Sequence, residues 1–313
     1  MQSSPSPLQP TDAEMPALFW LADRASIQAQ RRFFRRLAAE LSLLSLGTLA
    51  GLFGAFTPSV GSFALAGQSL PAFPVAEVAA AILIFVALII RLTRFLAHPD
   101  SRWYEARAVA ESAKSIAWRY AVGGSPFDLS KDAAVVDTLL RQRLQETLTD
   151  VPNRSRAITF SDQGQITATM RALRGQPLAI RQEAYQAGRI KDQAGWYDRK
   201  QRQNHDRALL AQWTLALLEV LGVIFALLQA RELVTINLQA LTAALVAAGI
   251  AWTQAQRYQD LSATYRVAAK EALALEHSVP AQPTEDAWAR FVDDAEAAFS
   301  REHRLWRATR DEK

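Results

Sequence analysis

Glu219 is the only ionisable side chain in an apolar run from Leu209 to Ala230, near the middle of that run. An acid at such depth in a bilayer is costly and normally faces a helix bundle or water. Two readings stand: a pore-lining or gating carboxylate, or a protonated or paired glutamate that joins helices, with Thr242 on the returning segment at similar depth. Glu77, at the outer end of another apolar run, reads as an interfacial residue. The sequence has no Cys, and its four histidines, His98, His205, His277 and His303, are scattered with no i, i+4 pair. Neither a thiolate nor a histidine-built metal site is expected, and no cofactor. No P-loop, GxGxxG, GxSxG or HExxH pattern is present. The adjacent acids Asp293 with Asp294, and Asp311 with Glu312, fall on expected exposed helix or tail positions. No catalytic constellation emerges, and the chain does not read as an enzyme.

Two further groups could bind rather than react. Trp103, Tyr104, Trp118, Tyr120, Trp196 and Tyr197 could stack on a nucleotide base; such stripes are more commonly helix contacts or interfacial anchors, which is the expectation here. Arg189, Lys191, Asp192 and Lys200 could hold an anionic messenger, although alternating signs near a helix usually make solvated ion pairs. Gly47 with Gly51, and Ala243 with Ala247, allow close helix contact. The isoelectric point near 9.5 comes with a net charge of only +4. Direct nucleic-acid binding is therefore not expected.

The elements that position these residues follow from where charge is missing. Residues 41–90 hold one charged side chain, Glu77, and residues 208–256 hold three, Glu219, Arg231 and Glu232. Uncharged blocks of this length do not fit a soluble surface. Four apolar segments result: 41–57, about 75–90, Leu209 to Ala230, and Leu233 to Gln256, the last two separated only by Arg231 and Glu232. Arg31, Arg32, Arg35, Arg36, Arg91, Arg94, Arg207 and Arg257 all lie on one side of these segments. The expected fold is an all-α membrane protein of two repeated transmembrane helical hairpins, four spans in all, with long cytoplasmic helices and both termini cytoplasmic.

Periodicity places helices over most of the rest, and little argues for a strand anywhere. Leu18 to Glu40 reads as a basic amphipathic helix. Trp103, Ala106, Ala110, Ala113 and Tyr120 form a stripe that ends at Gly123 and Gly124, with Arg107 and Glu111 an i, i+4 pair. After Ser130, an expected N-cap, Val136, Leu140, Leu144 and Leu148 carry a helix to a break at Pro152 and Asn153. Ile166, Met170 and Leu173 begin another after a turn at Gly164. A long helix then runs from Pro177 through Tyr185, Arg189, Trp196 and Tyr197 into the third apolar segment. Beyond Pro283 a last helix carries Trp288, Phe291, Ala295, Phe299 and Trp306. Arg24, Gln28 and Ala29 correspond to Arg189, Gln193 and Ala194, and the apolar starts Leu41 and Leu209 correspond in turn, as in a duplicated, parallel unit. The expected divisions are a disordered tail 1–17, a first two-span unit 18–124, a helical linker 125–164, a second unit 165–278, and a C-terminal amphipathic helix 279–313.

Two stretches carry a resemblance. One is Met170 and Arg171, then Arg181, Glu183 and Tyr185, then Arg189, Asp192, Gln193, Trp196, Tyr197 and Lys200. The other is Trp103, Tyr104, Arg107, Glu111, Lys114, Trp118 and Tyr120. With the apolar pairs they resemble the SLATT family, two-transmembrane domains found beside nucleotide-messenger synthases and SLOG-type sensors, here in tandem. The resemblance implies a bacterial inner-membrane effector of antiviral conflict systems, acting as an oligomeric pore or membrane-disrupting agent on the lipid bilayer. It also implies a nucleotide-messenger synthase or sensor protein as partner. None of the motif residues has an assigned chemical task. The alternative is a membrane-anchored scaffold that recruits a cytoplasmic partner without conductance.

Overall fold

A computed structural model describes residues 10–60, 63–65, 68–70, 73–97, 99–149 and 158–311, and the side chains of these except 60, 63–65, 68–70, 97, 99–101 and 301–311. Pro152, Asn153, Glu312 and the side chains of Asp311, Trp306, His303 and His98 lie outside them, as does the chain before Pro10. Ten α-helices follow in order: α1 (Ala17–Leu52), α2 (Val75–Ala97), α3 (Pro99–Val122), α4 (Ala133–Thr149), α5 (Ala168–Arg174), α6 (Leu178–Tyr185), α7 (Asp192–Ala230), α8 (Leu238–Gln256), α9 (Tyr258–His277) and α10 (Glu285–Asp311). A stretch of π geometry, Gln186–Lys191, joins α6 to α7. The helices form two compact units, one built from the chain up to Gln30, Asp100–Arg202 and Ser262 onward, the other from Arg31–Pro99 and Gln203–Leu261.

The first unit has an apolar core around α3. Ala106, Ala110, Ala113, Ala117 and Ala121 recur at steps of three and four and are all buried. Small side chains on one stripe let neighbouring helices approach closely, and the larger residues interdigitate around them. Those are Leu18 and Phe19 of α1, Leu140 and Leu144 of α4, Met170 and Leu173 of α5, Tyr185 of α6, and Trp288, Val292 and Phe299 of α10. The ends are set by local chemistry. Gly123 closes α3 at φ 74°, in the left-handed region that glycine adopts without strain. Asp132, not Ser130, caps α4: its Oδ1 accepts from the amide of Ala134 at 2.8 Å. Thr167 caps α5 by accepting from Met170 N. Ahead of α1, Glu14 accepts from Thr169 Oγ1 at 2.5 Å, and that bond, with those from Thr11, holds its carboxyl below the ordinary range.

In the second unit α1 and α2 pack antiparallel. A Cβ on Gly47 would lie 3.1 Å from Ile84 Cγ1, and Gly54 lies against Glu77. Gly222 lies against Thr242 and Gly249 against Leu215, which sets α7 antiparallel to α8. Among the described residues three helices are long and apolar enough to cross a membrane: Val75–Leu96, Leu178–Ala230 and Leu238–His277. The first expected segment, 41–57, is not one of these. Its helix stops at Leu52 before Gly54 and Pro58, so Leu41 to Leu52 supply about 18 Å of helix at ~1.5 Å per residue. The third and fourth segments are joined by more than Arg231 and Glu232, because α8 starts only at Leu238, capped by Asn237. The linker after α1 also holds short strands that periodicity did not reveal: β1 (Ser59–Val60) pairs with β4 (Phe73–Pro74), and β2 (Phe63–Leu65) with β3 (Gln68–Leu70), both antiparallel. A run without charge or helical period leaves such two- and three-residue pairings invisible.

Gly124, just beyond α3, leaves no room for a side chain, since an added Cβ would fall inside the contact radius of Val292 Cγ1 and Cβ. Valine is stiff at χ1 and cannot swing aside. Gly124→Ala is therefore expected to destabilise the first unit by about 1–3 kcal/mol, read as a lowered thermal midpoint of the purified chain in detergent.

Candidate functional site

The arginines of α6 and of the π turn enter the core of the first unit rather than solvent. Arg189 donates from Nε to Glu296 Oε1 at 2.9 Å and from Nη2 to Oε2 at 2.8 Å, and the Tyr185 hydroxyl donates to the same Oε1 at 2.9 Å. Glu296 is fully buried and Arg189 is 3% exposed. The Phe299 ring centre lies 5.0 Å from the guanidinium carbon. A bidentate fork of this kind is the geometry in which a guanidinium best matches a carboxylate. Arg181, also buried, donates to Val122 O at 2.7 Å, Gln176 O at 2.9 Å and Glu285 Oε1 at 2.5 Å. Val122 O accepts in addition from Trp288 Nε1 at 2.9 Å. Arg119 pairs with Asp293 at 2.5 Å. Three acids of α10 thus meet three arginines of the helices it packs on.

The other motif residues hold the same body together. Arg107 bridges Glu111 at 2.5 Å, the pair expected from spacing, and Asp23 at 3.2 Å. Burial pulls its pKa down, Glu111 and Asp23 outweigh that, and the net shift is upward. Lys114 pairs with Asp12 at 2.6 Å, and Arg171 with Asp137 at 2.6 Å. Asp137 also accepts from the Tyr120 hydroxyl at 2.6 Å. Burial first, and that bond second, push the Tyr120 phenol up to about 12. Trp103 and Tyr104 stack on each other with ring centres 4.4 Å apart, and Trp196 and Tyr197 both contact the ring of Tyr265. Met170 is buried, Asp192 is exposed in the first turn of α7, and Gln193 is half-buried. Trp118, Trp196 and Tyr197 thus make contacts between helices, and Arg189 is a core ion pair rather than the solvated one that alternating charge indicated. No group of three His, Asp or Glu side chains able to hold a metal converges among the described residues.

Glu296 and Glu285 were missed by sequence reading, and for Glu296 a signal existed. On α10 it falls beside the stripe of Trp288, Val292, Ala295 and Phe299, so an acid borders the apolar face of an amphipathic helix.

The second unit holds two more carboxylates of interest. Glu40 lies 3.0 Å from Arg94 Nη2 and is nearly buried; the contact is an ion pair without the alignment of a hydrogen bond. Arg94 also sits 5.7 Å from the Phe33 ring centre. Glu219 is exposed on α7 and has no hydrogen-bond or ion-pair partner among the described residues. Thr242 is one turn away in level, buried against Gly222, and its hydroxyl donates to Gln239 O at 2.9 Å.

Three helices long and apolar enough to cross a membrane, and a largely α-helical chain around them, define a helical membrane protein. Residues 16–182 match the model of the SMODS and SLOG-associating 2TM effector domain 3, and residues 185–306 match that of effector domain 1 of the same series. The chain therefore belongs to the SLATT family, with two of its domains in tandem. No curated protein and no solved structure matches it. The two matched segments meet between Arg181 and Tyr185, inside the buried cluster itself.

Glu296→Ala is expected to destabilise the first unit by about 3–5 kcal/mol, because it strands the Arg189 charge in the core. The double variant Arg189→Met with Glu296→Leu should recover most of that loss, measured by denaturant unfolding followed through tryptophan fluorescence. Tyr120 supplies a pH signature. Its folded pKa of about 12 stands above the ordinary value of 10.0, so its contribution is complete below pH 10 and fades as pH rises through 12. Tyr120→Phe should remove that component from the alkaline stability profile.

Proposed function

We propose that this chain is a membrane effector of a bacterial nucleotide-signalled conflict system that permeabilises the inner membrane as a homo-oligomer. The family supports the effector class and the association with messenger synthases or SLOG-type sensors. The proposed topology has four spans, both termini and the helical body on the cytoplasmic side, and a two-span unit in each sequence half, 18–124 and 165–278. The shortfall of the first span is met inward of Leu41. Leu37 is buried, Phe33 and Phe34 pack on Arg94 and Trp252, and the Glu40 charge is matched by Arg94. An ion pair is the form in which charged groups enter a bilayer at lowest cost.

The observation that carries the pore reading is the contrast between Glu40 and Glu219. Both are carboxylates on membrane-directed helices, and among the described residues only Glu40 has a cation beside it. Glu219 stands on an outward row of α7 with Gln212, Ala216 and Val223, all exposed. An acid and an amide on one such row, with a small residue between them, suit a water-filled lumen shared with other copies better than a lipid surface. The remaining family-motif residues act as packing and ion-pair elements of the cytoplasmic body, through which a partner's signal would arrive.

Purified protein in liposomes is expected to conduct, and induced expression should collapse membrane potential together with dye entry. Glu219→Gln should lower cation over anion permeability by about tenfold or more, in line with the role of acidic rings in cation pores. A stable cytoplasmic partner and intact potential without ion flux would instead identify a tethered scaffold.

A further inference from the structure

In the second unit, Arg31, Arg32, Arg35 and Arg36 lie within six residues of α1 and are all exposed. None has an ion-pair partner among the described residues. The next acid along the helix, Glu40, is already held by Arg94. The spacing makes Arg31 with Arg35, Arg32 with Arg36, and Arg32 with Arg35 like-charge neighbours, each of which weakens a helix. The arginines cannot turn inward, because the opposite side of α1 is occupied by Phe34 against Trp252, Phe33 beneath Arg94, and buried Leu37. No described side chain neutralises them, so they are open to an anion from outside the chain.

The same outward line of the helix identifies that anion. At 3.6 residues per turn, Arg31, Arg35, Ser42, Leu46 and Leu49 fall within about 60° of arc. Leu46 is 50% exposed and Leu49 36%. The line therefore changes from guanidinium to hydrocarbon along its length, as a phospholipid changes from phosphate to acyl chain. Arg35 and Arg31 stand about 25 and 31 Å from the helix end at Leu52, close to the ~30 Å thickness of a hydrocarbon core. The corresponding end of α7 and α8 lacks this excess, since Arg207 is flanked by Asp206 and Arg257 pairs with Asp260 at 3.0 Å.

We propose that Arg31, Arg32, Arg35 and Arg36 form a binding site for the phosphate headgroups of anionic phospholipid in the cytoplasmic leaflet, confined to the first hairpin. This rests on the membrane topology above and not on pore formation. The test is native mass spectrometry of the full chain in uncharged detergent, titrated with phosphatidylglycerol or with phosphatidylcholine of the same acyl chains. Inorganic phosphate and a single-stranded oligonucleotide serve as separate arms. Phosphatidylglycerol should be retained at least about tenfold over phosphatidylcholine, with about a fivefold loss for each arginine changed to Gln. Replacing all four by Lys should keep the preference, and Arg207→Gln should leave it unchanged. Equal retention of the two lipids would overturn the site, even in a preparation that conducts. So would displacement of phosphatidylglycerol by phosphate or by oligonucleotide at equal concentration. A preference retained by protein that shows no flux would uphold it and count against the pore alone.

Discussion

The first unit depends on the pairing of Arg189 with Glu296. A lone guanidinium or carboxylate in an apolar core carries a desolvation penalty of several kcal/mol, and a bidentate fork with a tyrosine hydroxyl on the same oxygen is one of the few arrangements that offsets it. The pair spans 107 residues of sequence. It fixes the rotation of α10, because turning that helix by one residue would bury Glu296 against hydrocarbon and expose Trp288. Arg181 with Glu285 and Arg119 with Asp293 then continue the match along α10. Such pairs add little net stability compared with well-packed apolar residues, and what they impose is register. Apolar packing alone would leave an alanine-lined helix such as α3 several alternative neighbours.

Much of this architecture was legible in the sequence. The stripe of Trp103 to Tyr120, the turn at Gly164, the helix that starts after it and the amphipathic last helix follow from period and from glycine chemistry, which are local. Arg107 with Glu111 was readable for the same reason, since four residues of a helix bring them together. The partners of Arg181 and Arg189 were not, because they lie about a hundred residues away and only tertiary packing selects them. An exposed ion pair and a buried one look alike in a sequence. Hence Arg189 read as solvated, and Ser130 read as the cap that Asp132 in fact supplies.

The membrane-directed unit shows the opposite balance. Absence of charge located three long apolar helices, yet the same criterion carried the first segment to residue 57, past the end of its helix at Leu52. Arg94 of α2 pairs with Glu40 of α1, a match between helices that counting charges along one chain does not show. Glu219 was found because it is conspicuous by type, while its exposure, on which the reading as a pore residue turns, depends on how α7 faces α8.

The buried cluster also has a bearing on how the chain is made. Arg181 and Arg189 leave the ribosome about a hundred residues before Glu285 and Glu296, and both apolar helices α7 and α8 emerge in between. Until the last segment arrives, two guanidiniums that belong in the core have no carboxylate and must stay hydrated. The helical body cannot close before the apolar helices have left the tunnel, so compaction of the first unit comes last. A helical body built in this order remains unfinished until its final helix is in place.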